Sequence, residues 1–323
     1  MKKVFAILLV LASVVGLFAC GEKEYVHGST ETVMKIGSHS VPEELYRYFL
    51  LNTMDEMLEA DKECFTGADK TAAFAELDAK VLSGLKDYYS VLDLAKNLGV
   101  SLTDDEKKLA DDNVQSLRDE CESDKEYKEE LAKAYLSEYV AYSMGYNELL
   151  YTAIYQTAAE TGKYFETDGN TVFDFAKKNF LFCRQFVIET DDPIGDVQAQ
   201  VKAEAIHARL KAGEDAAAIL KDYESDTKVV GAYYCFSNTE DFLALNEEAV
   251  ALMEPGQISD IRMDGQGFHI ILRLEADEEY LEENLNEGVF ESYCMHQLIL
   301  MQNEIKNAYE VRYINKKTPE SYR

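Results

Sequence analysis

Residues whose types could do chemistry are few in this sequence. An imidazole, His269, lies inside the apolar run 268–274, where a strand is expected, and a carboxylate, Asp226, follows a short helical stretch. Both are hydrogen-bonding groups, but a structural histidine on a core strand and an ordinary loop acid are the alternative interpretations. The six cysteines include no Cys-x-x-Cys pair, and residues 31–175 contain no Cys/His/Asp cluster with the spacing of metal ligands. We therefore expect no metal site and no cofactor.

Two local patterns imitate ligand sites and are set aside. Gly265-Gln266-Gly267 begins like a dinucleotide fingerprint, but the third glycine and the following helix are missing. Acidic clusters such as Asp104-Asp105-Glu106 lack the alternation of an EF-hand loop. Negative charge at a helix start suits the helix dipole, so we expect these clusters at the first turns of solvated helices.

Length and charge limit the classes of protein. A chain of 323 residues suggests two domains, and a hydrophobic fraction of 47% can bury a sizeable core. Lys and Arg number 32 against 61 Asp and Glu, for a formal net charge of -29. Because such a chain repels phosphate backbones, nucleic acid is not an expected partner.

The first twenty residues have the pattern of an export signal. Lys2 and Lys3 precede an uncharged apolar run over 4–18, which is too short to span a bilayer as a helix. Leu17-Phe18-Ala19-Cys20 is similar to the bacterial lipobox, in which the cysteine is acylated and becomes the mature N-terminus. We predict a signal peptide over 1–19, lipidation at Cys20, a polar tether over 20–30, and an extracytoplasmic protein anchored to the cell membrane by lipid. Ordinary secretion and an uncleaved anchor are the alternatives.

Hydrophobic periodicity predicts helices at both ends of the chain and a mixed segment between them. A strand over 33–37 is followed by helices starting near Pro42, over 70–98, at a capping box on Thr103, and from Ser123 through about Glu160. Strands are expected near 182–188, 232–236, 257–262 and 268–274, with a helix whose apolar stripe is Ile194, Val197, Val201, Ala205 and Ala208. Tyrosines 135, 139, 142, 146 and 151 indicate helix packing, or alternatively a stripe that binds client polypeptides.

The predicted fold class is α+β, with an α+β domain inserted into a mainly helical domain. The striped helix over 280–309 needs a partner, and the N-terminal helices offer the apolar surface for it. The boundaries follow as 31–175 for the N-terminal helical region, 176–275 for the inserted domain, and 276–323 for a C-terminal helix and strand packed on the N-terminal region.

The inserted segment resembles a parvulin-type peptidyl-prolyl isomerase domain. Gly267-Phe268-His269-Ile270-Ile271 matches the signature that ends such domains, and 253–260 and 223–226 are similar to two earlier blocks of the family. The extra-domain plan looks like that of PrsA/SurA-type foldases and trigger-factor-like chaperones. By this resemblance His269, Asp226 and Gln185 are the catalytic candidates, with Gln185 where the family usually has a histidine. Phe268, Met253 and Phe236 are the corresponding substrate-binding candidates.

Proline isomerisation breaks no covalent bond, so it needs no nucleophile. The catalyst must favour a twisted amide over a barrier of about 18–20 kcal/mol, using a dry socket for the ring and suitable polar groups. Asn246 and Ala251 stand where the family has socket aromatics, and Asp264 stands where it frequently has threonine. Both an active isomerase and a degenerate domain that keeps the fold are therefore open.

The resemblance implies a membrane-anchored foldase or chaperone for unfolded or partly folded exported polypeptides. The alternatives are a chaperone or assembly factor without catalysis, and a solute-binding lipoprotein. The last would need two similar lobes with parallel sheets, which long striped helices disfavour.

Overall fold

The computed structural model describes residues 25–66, 70–192, 194–237, 250–276 and 286–319. The chain divides into two compact units. The first comprises the described residues of Met1–Tyr89, Leu102–Leu149 and Tyr309–Arg323, and the second those of Ser90–Ser101 and Leu150–Ala308. Helices and small antiparallel sheets make up both units, which confirms the α+β fold class. The first unit combines both chain ends, as predicted.

Both chain ends contribute strands to the sheet of the first unit. Its strands are β1 (Thr32–Ile36), β2 (His39–Pro42) and β7 (Val311–Tyr313), in the antiparallel order β2-β1-β7. The turn between β1 and β2 needs a glycine, because Gly37 has φ +55° and a Cβ there would lie 2.8 Å from the Tyr309 ring. This confirms the strands predicted near 33–37 and 311–314.

The helices that begin in the first unit follow the predicted pattern, with one correction. They are α1 (Glu43–Ala60), α2 (Lys70–Leu98), α3 (Asp104–Asp119), α4 (Asp124–Lys133) and α5 (Glu138–Thr161). Thr103 forms the expected capping box with Glu106. The single long helix predicted from Ser123 to about Glu160 is wrong, because it breaks at Tyr135, whose φ is 60°. Ser137 then caps the new helix by accepting from the Val140 backbone N–H at 3.1 Å.

Part of the predicted tether is folded. From Tyr25 onward the segment predicted as a free tether hydrogen-bonds to the first unit, where Gly28 donates its backbone N–H to Glu44 at 2.8 Å. The Glu43 and Glu44 backbone N–H groups donate in turn to the carbonyls of Glu31 and Ser29. Since Pro42 gives α1 no side-chain cap, these carbonyls satisfy donors that the helix start leaves free.

The second unit is built on a four-stranded antiparallel sheet. Its strands are β3 (Phe180–Glu189), β4 (Val229–Ser237), β5 (Arg262–Asp264) and β6 (Gly267–Leu274), in the order β4-β3-β6-β5. Its helices are α6 (Gly169–Asn179), α7 (Val197–Lys211), α8 (Ala216–Asp222) and α9 (Asn286–Ala308). The strand expected over 257–262 is reduced to a bridge at Ile258 before β5 begins.

Helix α7 packs on the sheet with a different face from the predicted one. Ala199, Ala203, Ile206 and Leu210 are buried against the sheet, together with its large apolar residues. The predicted stripe faces outward instead, with Ile194 88%, Val197 66% and Val201 57% exposed. The small alanines allow the helix to approach the sheet closely, and the bulky strand residues Phe186 and Phe268 fill the core.

Helix α9 has partners within the second unit. The Tyr293 hydroxyl donates to the Glu166 carbonyl at 2.5 Å, and the Cys294 thiol donates to the Ala158 carbonyl at 3.7 Å. Gln302 donates to the Ser90 hydroxyl at 2.8 Å. These partners lie within the predicted N-terminal region 31–175. They nevertheless belong to the second unit, and not to the first unit, which contains β1. The boundaries at 175 and 275 stay predictions.

Candidate functional site

The register of β3 and β6 brings two predicted site residues together. Val187 lies opposite His269, and Gln185, two residues before Val187, lies opposite Ile271. The side chains of Gln185 and His269 therefore lie on the same face of the sheet. The Gln185 amide nitrogen lies 2.6 Å from His269 Nδ1. On the other side of the ring, Nε2 lies 2.8 Å from Asp264 Oδ1. Gln185, His269 and Asp264 therefore form one hydrogen-bonded chain, which we call the His269 relay.

The relay fixes the form of the imidazole. An amide nitrogen can only donate, so Nδ1 of His269 accepts from Gln185, and Nε2 carries the proton that it donates to the Asp264 carboxylate. Both ring nitrogens are thus satisfied, which a side chain at 3% exposure requires. Desolvation acts to raise the pKa of Asp264, but hydrogen bonds from the Gln266 backbone and the His269 ring outweigh it and hold the pKa below its usual value.

Asp264 is the site residue that sequence reasoning missed. It ends β5 and lies opposite Gly267, across the short hairpin Asp264-Gly265-Gln266-Gly267. An Asp-Gly pair between two predicted strands is a hairpin signal, and it could have indicated that Asp264 folds back towards β6. Gly267 is required there, because its φ is +142° and a Cβ would lie 2.1 Å from the Ile188 carbonyl oxygen.

Asp226 is not part of the relay. Its carboxylate pairs with Lys202 on α7 and accepts the Lys228 backbone N–H at 3.2 Å. The hydrogen bond from Lys202 is the largest cause that lowers the pKa of Asp226. Phe268 and Ile270 of β6 face α7, so His269, between them, faces the opposite side of the sheet. Among the hydrogen bonds of the described residues, Asp226 therefore has none with His269 or Gln185, and its catalytic role stays a prediction.

The three predicted substrate-binding residues have different surroundings. Phe268 is 6% exposed and belongs to the core between the sheet and α7, which corrects its expected role to one of packing. Met253 is partly buried against Leu181, Cys183 and Ile271, on the same face of the sheet as His269. Phe236 lies in β4 opposite Leu181. Its side chain is outside the described part of the structure.

A cleft opens on the α7 side of the sheet, opposite His269. Its volume is about 320 Å³. Leu210, Leu272 and Leu274 provide apolar lining, and Arg184 and Glu214 provide charged lining. The face with the relay and the face with this cleft are therefore different, so the cleft gives no access to the imidazole.

The remaining predicted features concern metals, cysteines and the membrane. Within the described ranges no group of three or more His, Cys, Asp or Glu residues is placed to hold a metal ion. Within the described part of the chain, Cys64, Cys121, Cys183 and Cys294 form no disulfide bond. Among the described helices, none combines the length and apolar character needed to cross a membrane. The predicted signal peptide and Cys20 lie outside the described residues.

Comparisons with known proteins find similarity among solved structures. No protein-family model matches the chain, and no curated protein matches it. The chain is similar to PrsA from Bacillus subtilis at 16% identity and a TM-score of 0.26, covering 91% of this chain and 97% of that one. It is also similar to PrsA from Bacillus cereus, at 15% identity, 90% and 95% coverage, and a TM-score of 0.26. A SurA-like chaperone from Campylobacter jejuni is matched at 12% identity, 88% and 99% coverage, and a TM-score of 0.27.

Proposed function

We propose that this protein is a foldase or chaperone that acts on unfolded or partly folded exported polypeptides. The observation that supports the proposal is the His269 relay, in which Gln185 and His269, both catalytic candidates by the resemblance to parvulin-type isomerases, hydrogen-bond to each other. The relay lies on an antiparallel sheet that is packed on its other face by α7 and α8.

The relay suits the chemistry of amide rotation. A twisted amide has a carbonyl oxygen and a nitrogen of altered charge, and fixed polar groups can favour it without covalent attack. His269 Nε2 donates to Asp264 and Nδ1 accepts from Gln185, while the Gln185 amide retains a second N–H and its carbonyl for other partners. In this mechanism Gln185 and His269 are the polar groups that favour the twisted amide, and Met253 is an apolar residue on the same face of the sheet. Asp226, the third predicted catalytic residue, forms an ion pair with Lys202 of α7 and has a structural role in this mechanism.

A chaperone without catalysis is the second candidate, and a specific observation favours it. His269 is only 3% exposed, so a proline-containing segment would have to displace covering groups to reach the ring. In this alternative the second unit is a scaffold, and client binding alone lowers the concentration of aggregation-prone chain. The solute-binding alternative is disfavoured further, because the strand pairs of the described sheets are antiparallel.

Two assays on the soluble chain 21–323 separate these functions. The first measures the rate of a proline-limited refolding reaction, and the second measures suppression of aggregation of an unfolded client. An active foldase accelerates the first, and His269→Ala and Gln185→Leu abolish that acceleration, whereas Asp226→Asn leaves it. Suppressed aggregation with no acceleration leaves the chaperone function and rejects the isomerase. Absence of both effects rejects the proposed function.

The lipid anchor is a separate part of the proposal. Two acyl chains on Cys20 would hold the protein at a membrane, where a single chain gives only marginal binding. In cells that process lipoproteins, we expect the intact protein in the membrane fraction and the Cys20→Ala variant in the soluble extracytoplasmic fraction. A Cys20→Ala protein that stays in the membrane fraction would reject lipidation at this residue.

A further inference from the structure

The first described residues of the chain lie on an aromatic and acidic surface of the first unit. Tyr25 stacks on Tyr142 of α5, with ring centroids 4.4 Å apart, and His27 lies over Tyr139 of the same helix at 4.2 Å. The Tyr25 hydroxyl donates to Asp111 of α3. Between the two rings, Val26 is 63% exposed. Tyr25 and His27 therefore point towards α5 and Val26 points towards solvent, the alternation of an extended strand.

The backbone of the same segment also hydrogen-bonds to the first unit, at every second residue. The Val26 N–H donates to Glu138 Oε2 at 3.2 Å, and the Val26 carbonyl accepts from the Tyr139 N–H at 3.4 Å. The Gly28 N–H donates to Glu44 Oε2 at 2.8 Å. Main-chain hydrogen bonds to every second residue, with side-chain contacts from the residues between, are how folded domains bind extended peptides.

Residues 25–28, which we call the N-terminal strap, differ from the residues that follow them. Ser29 and Glu31 accept the backbone N–H groups at the start of α1, so they are part of the folded helix terminus. The strap gives α1 no such acceptor in the hydrogen bonds of the described residues, and its one contact with a helix-terminal N–H there is the 3.4 Å bond from Tyr139, near the start of α5, to the Val26 carbonyl. Its contacts are two ring stacks and a few hydrogen bonds on a half-exposed segment, a kind of contact that opens at low free energy.

The surface under the strap needs an occupant. Glu44 is 5% exposed, and its carboxylate accepts from Gly28, from the Ser137 hydroxyl at 2.5 Å, and from His27 Nδ1 at 2.8 Å when that nitrogen is protonated. When the strap leaves, Glu44 loses the contacts from Gly28 and His27 and keeps the donor from Ser137, and solvent or another chain then takes the vacated place. Another chain that supplies a backbone N–H at the same place would restore the lost donor.

Charge indicates which chains fit this surface. The strap contacts three carboxylates, from Asp111, Glu138 and Glu44, and among the ion pairs of the described residues Glu138 alone of the three is paired with an arginine, Arg118. The whole chain carries a formal net charge of -29. Such a surface attracts basic segments at long range and repels acidic ones.

We propose that the surface of Tyr139, Tyr142, Asp111, Glu138 and Glu44 is a peptide-binding site occupied in the isolated protein by its own N-terminal strap. Its ligands are extended segments without acidic side chains that carry two aromatic or imidazole side chains two residues apart, as Tyr25 and His27 are. The strap is an intramolecular competitor for this site. This inference rests on the proposed function in that the ligand class is that of an unfolded client.

A peptide that copies the strap tests the site directly. The probe is a fluorescein-labelled peptide with the sequence of residues 25–30, which has no acidic side chain, and the proteins are chain 21–323 as wild type, as Tyr25→Ala/His27→Ala, and as the matched control Val26→Ala. A tethered segment competes at an effective concentration on the order of millimolar, so a probe with a dissociation constant near 100 µM should bind the double variant about tenfold more tightly than wild type. Val26→Ala should resemble wild type, because the hydrogen bonds of Val26 are made by its backbone and the residue is 63% exposed.

Equal binding to the double variant and wild type, or no binding to either, overturns the proposal. A probe with alanine in place of both ring-bearing residues should bind at least tenfold more weakly than the original, and undiminished binding also overturns it. Hydrogen exchange on the unmodified protein gives a second readout that needs no variant: excess probe should accelerate exchange of the Gly28 amide, and unchanged or slower exchange contradicts competition. These binding measurements are independent of aggregation and refolding assays, so a failed chaperone assay and a failed peptide site are distinguishable.

Discussion

Replacement of Gln185 by leucine tests the hydrogen-bond chain that positions His269. Leucine has nearly the volume of glutamine but no donor, so His269 Nδ1 loses the group that lies 2.6 Å away. The imidazole is 3% exposed, and water therefore has no direct access to replace the donor. An unsatisfied buried acceptor costs about 1–3 kcal/mol, and we expect Gln185→Leu to lower the free energy of unfolding by that amount.

The measurement is urea unfolding of chain 21–323, monitored by circular dichroism because the chain has no tryptophan whose fluorescence could report unfolding. Asp264→Asn is the comparison on the other side of the ring: asparagine keeps an oxygen that accepts from Nε2, so the variant loses only the contribution of the charge and should be destabilised less than Gln185→Leu. Gln185→Leu/His269→Leu removes both partners and should recover part of the loss, because apolar replacement of a hydrogen-bonded pair is often nearly neutral. A Gln185→Leu protein as stable as wild type would refute the buried relay.

Three further predictions follow from the same sheet and helix. Gly267→Ala should lower the free energy of unfolding in urea by more than about 2 kcal/mol, because the added Cβ would lie 2.1 Å from the Ile188 carbonyl oxygen. Gly265→Ala, whose Cβ would have no atom within 4 Å, should change it by less than about 0.5 kcal/mol. Equal effects of the two variants would contradict the hairpin geometry. Val201→Glu should change the unfolding free energy by less than about 0.5 kcal/mol, since Val201 is 57% exposed, and a loss of several kcal/mol would place it in the core after all. Asp264 has a lowered folded-state pKa, so its stabilising contribution is present above the unfolded value near 4 and is lost as the pH falls through the folded value. Asp264→Asn should therefore flatten the decline of stability between about pH 4 and 2, and an unchanged acid profile would contradict that shift.

Local chemistry made several elements predictable. Helix α2 extends from Lys70 to Leu98 as its apolar spacing indicated, and Gly99 follows it with φ +70°. Thr103 and Glu106 form the capping box that their spacing indicated. These signals depend on residues within one or two turns of each other, so they need no knowledge of distant contacts.

The incorrect predictions involve contacts with distant parts of the chain. Helix α7 has two apolar stripes, and the sequence favoured the stripe with larger residues, Val197 and Val201. The sheet selects the face with Ala199 and Ala203, because small side chains fit against its bulky residues. The break at Tyr135 is likewise accompanied by a distant contact, since its hydroxyl donates to Asp55 at 2.7 Å.

The sequence by itself determined the α+β class, the helix starts with their caps, and the two strands that carry Gln185 and His269. It determined these because periodicity, capping and strand-forming runs are local properties of the chain. Tertiary structure alone decided that Asp264 rather than Asp226 meets His269, that Phe268 faces the core, and that Tyr25 stacks on Tyr142. The physical reason is that strand register and helix packing select among equally plausible polar partners, and that selection depends on residues far apart in the chain.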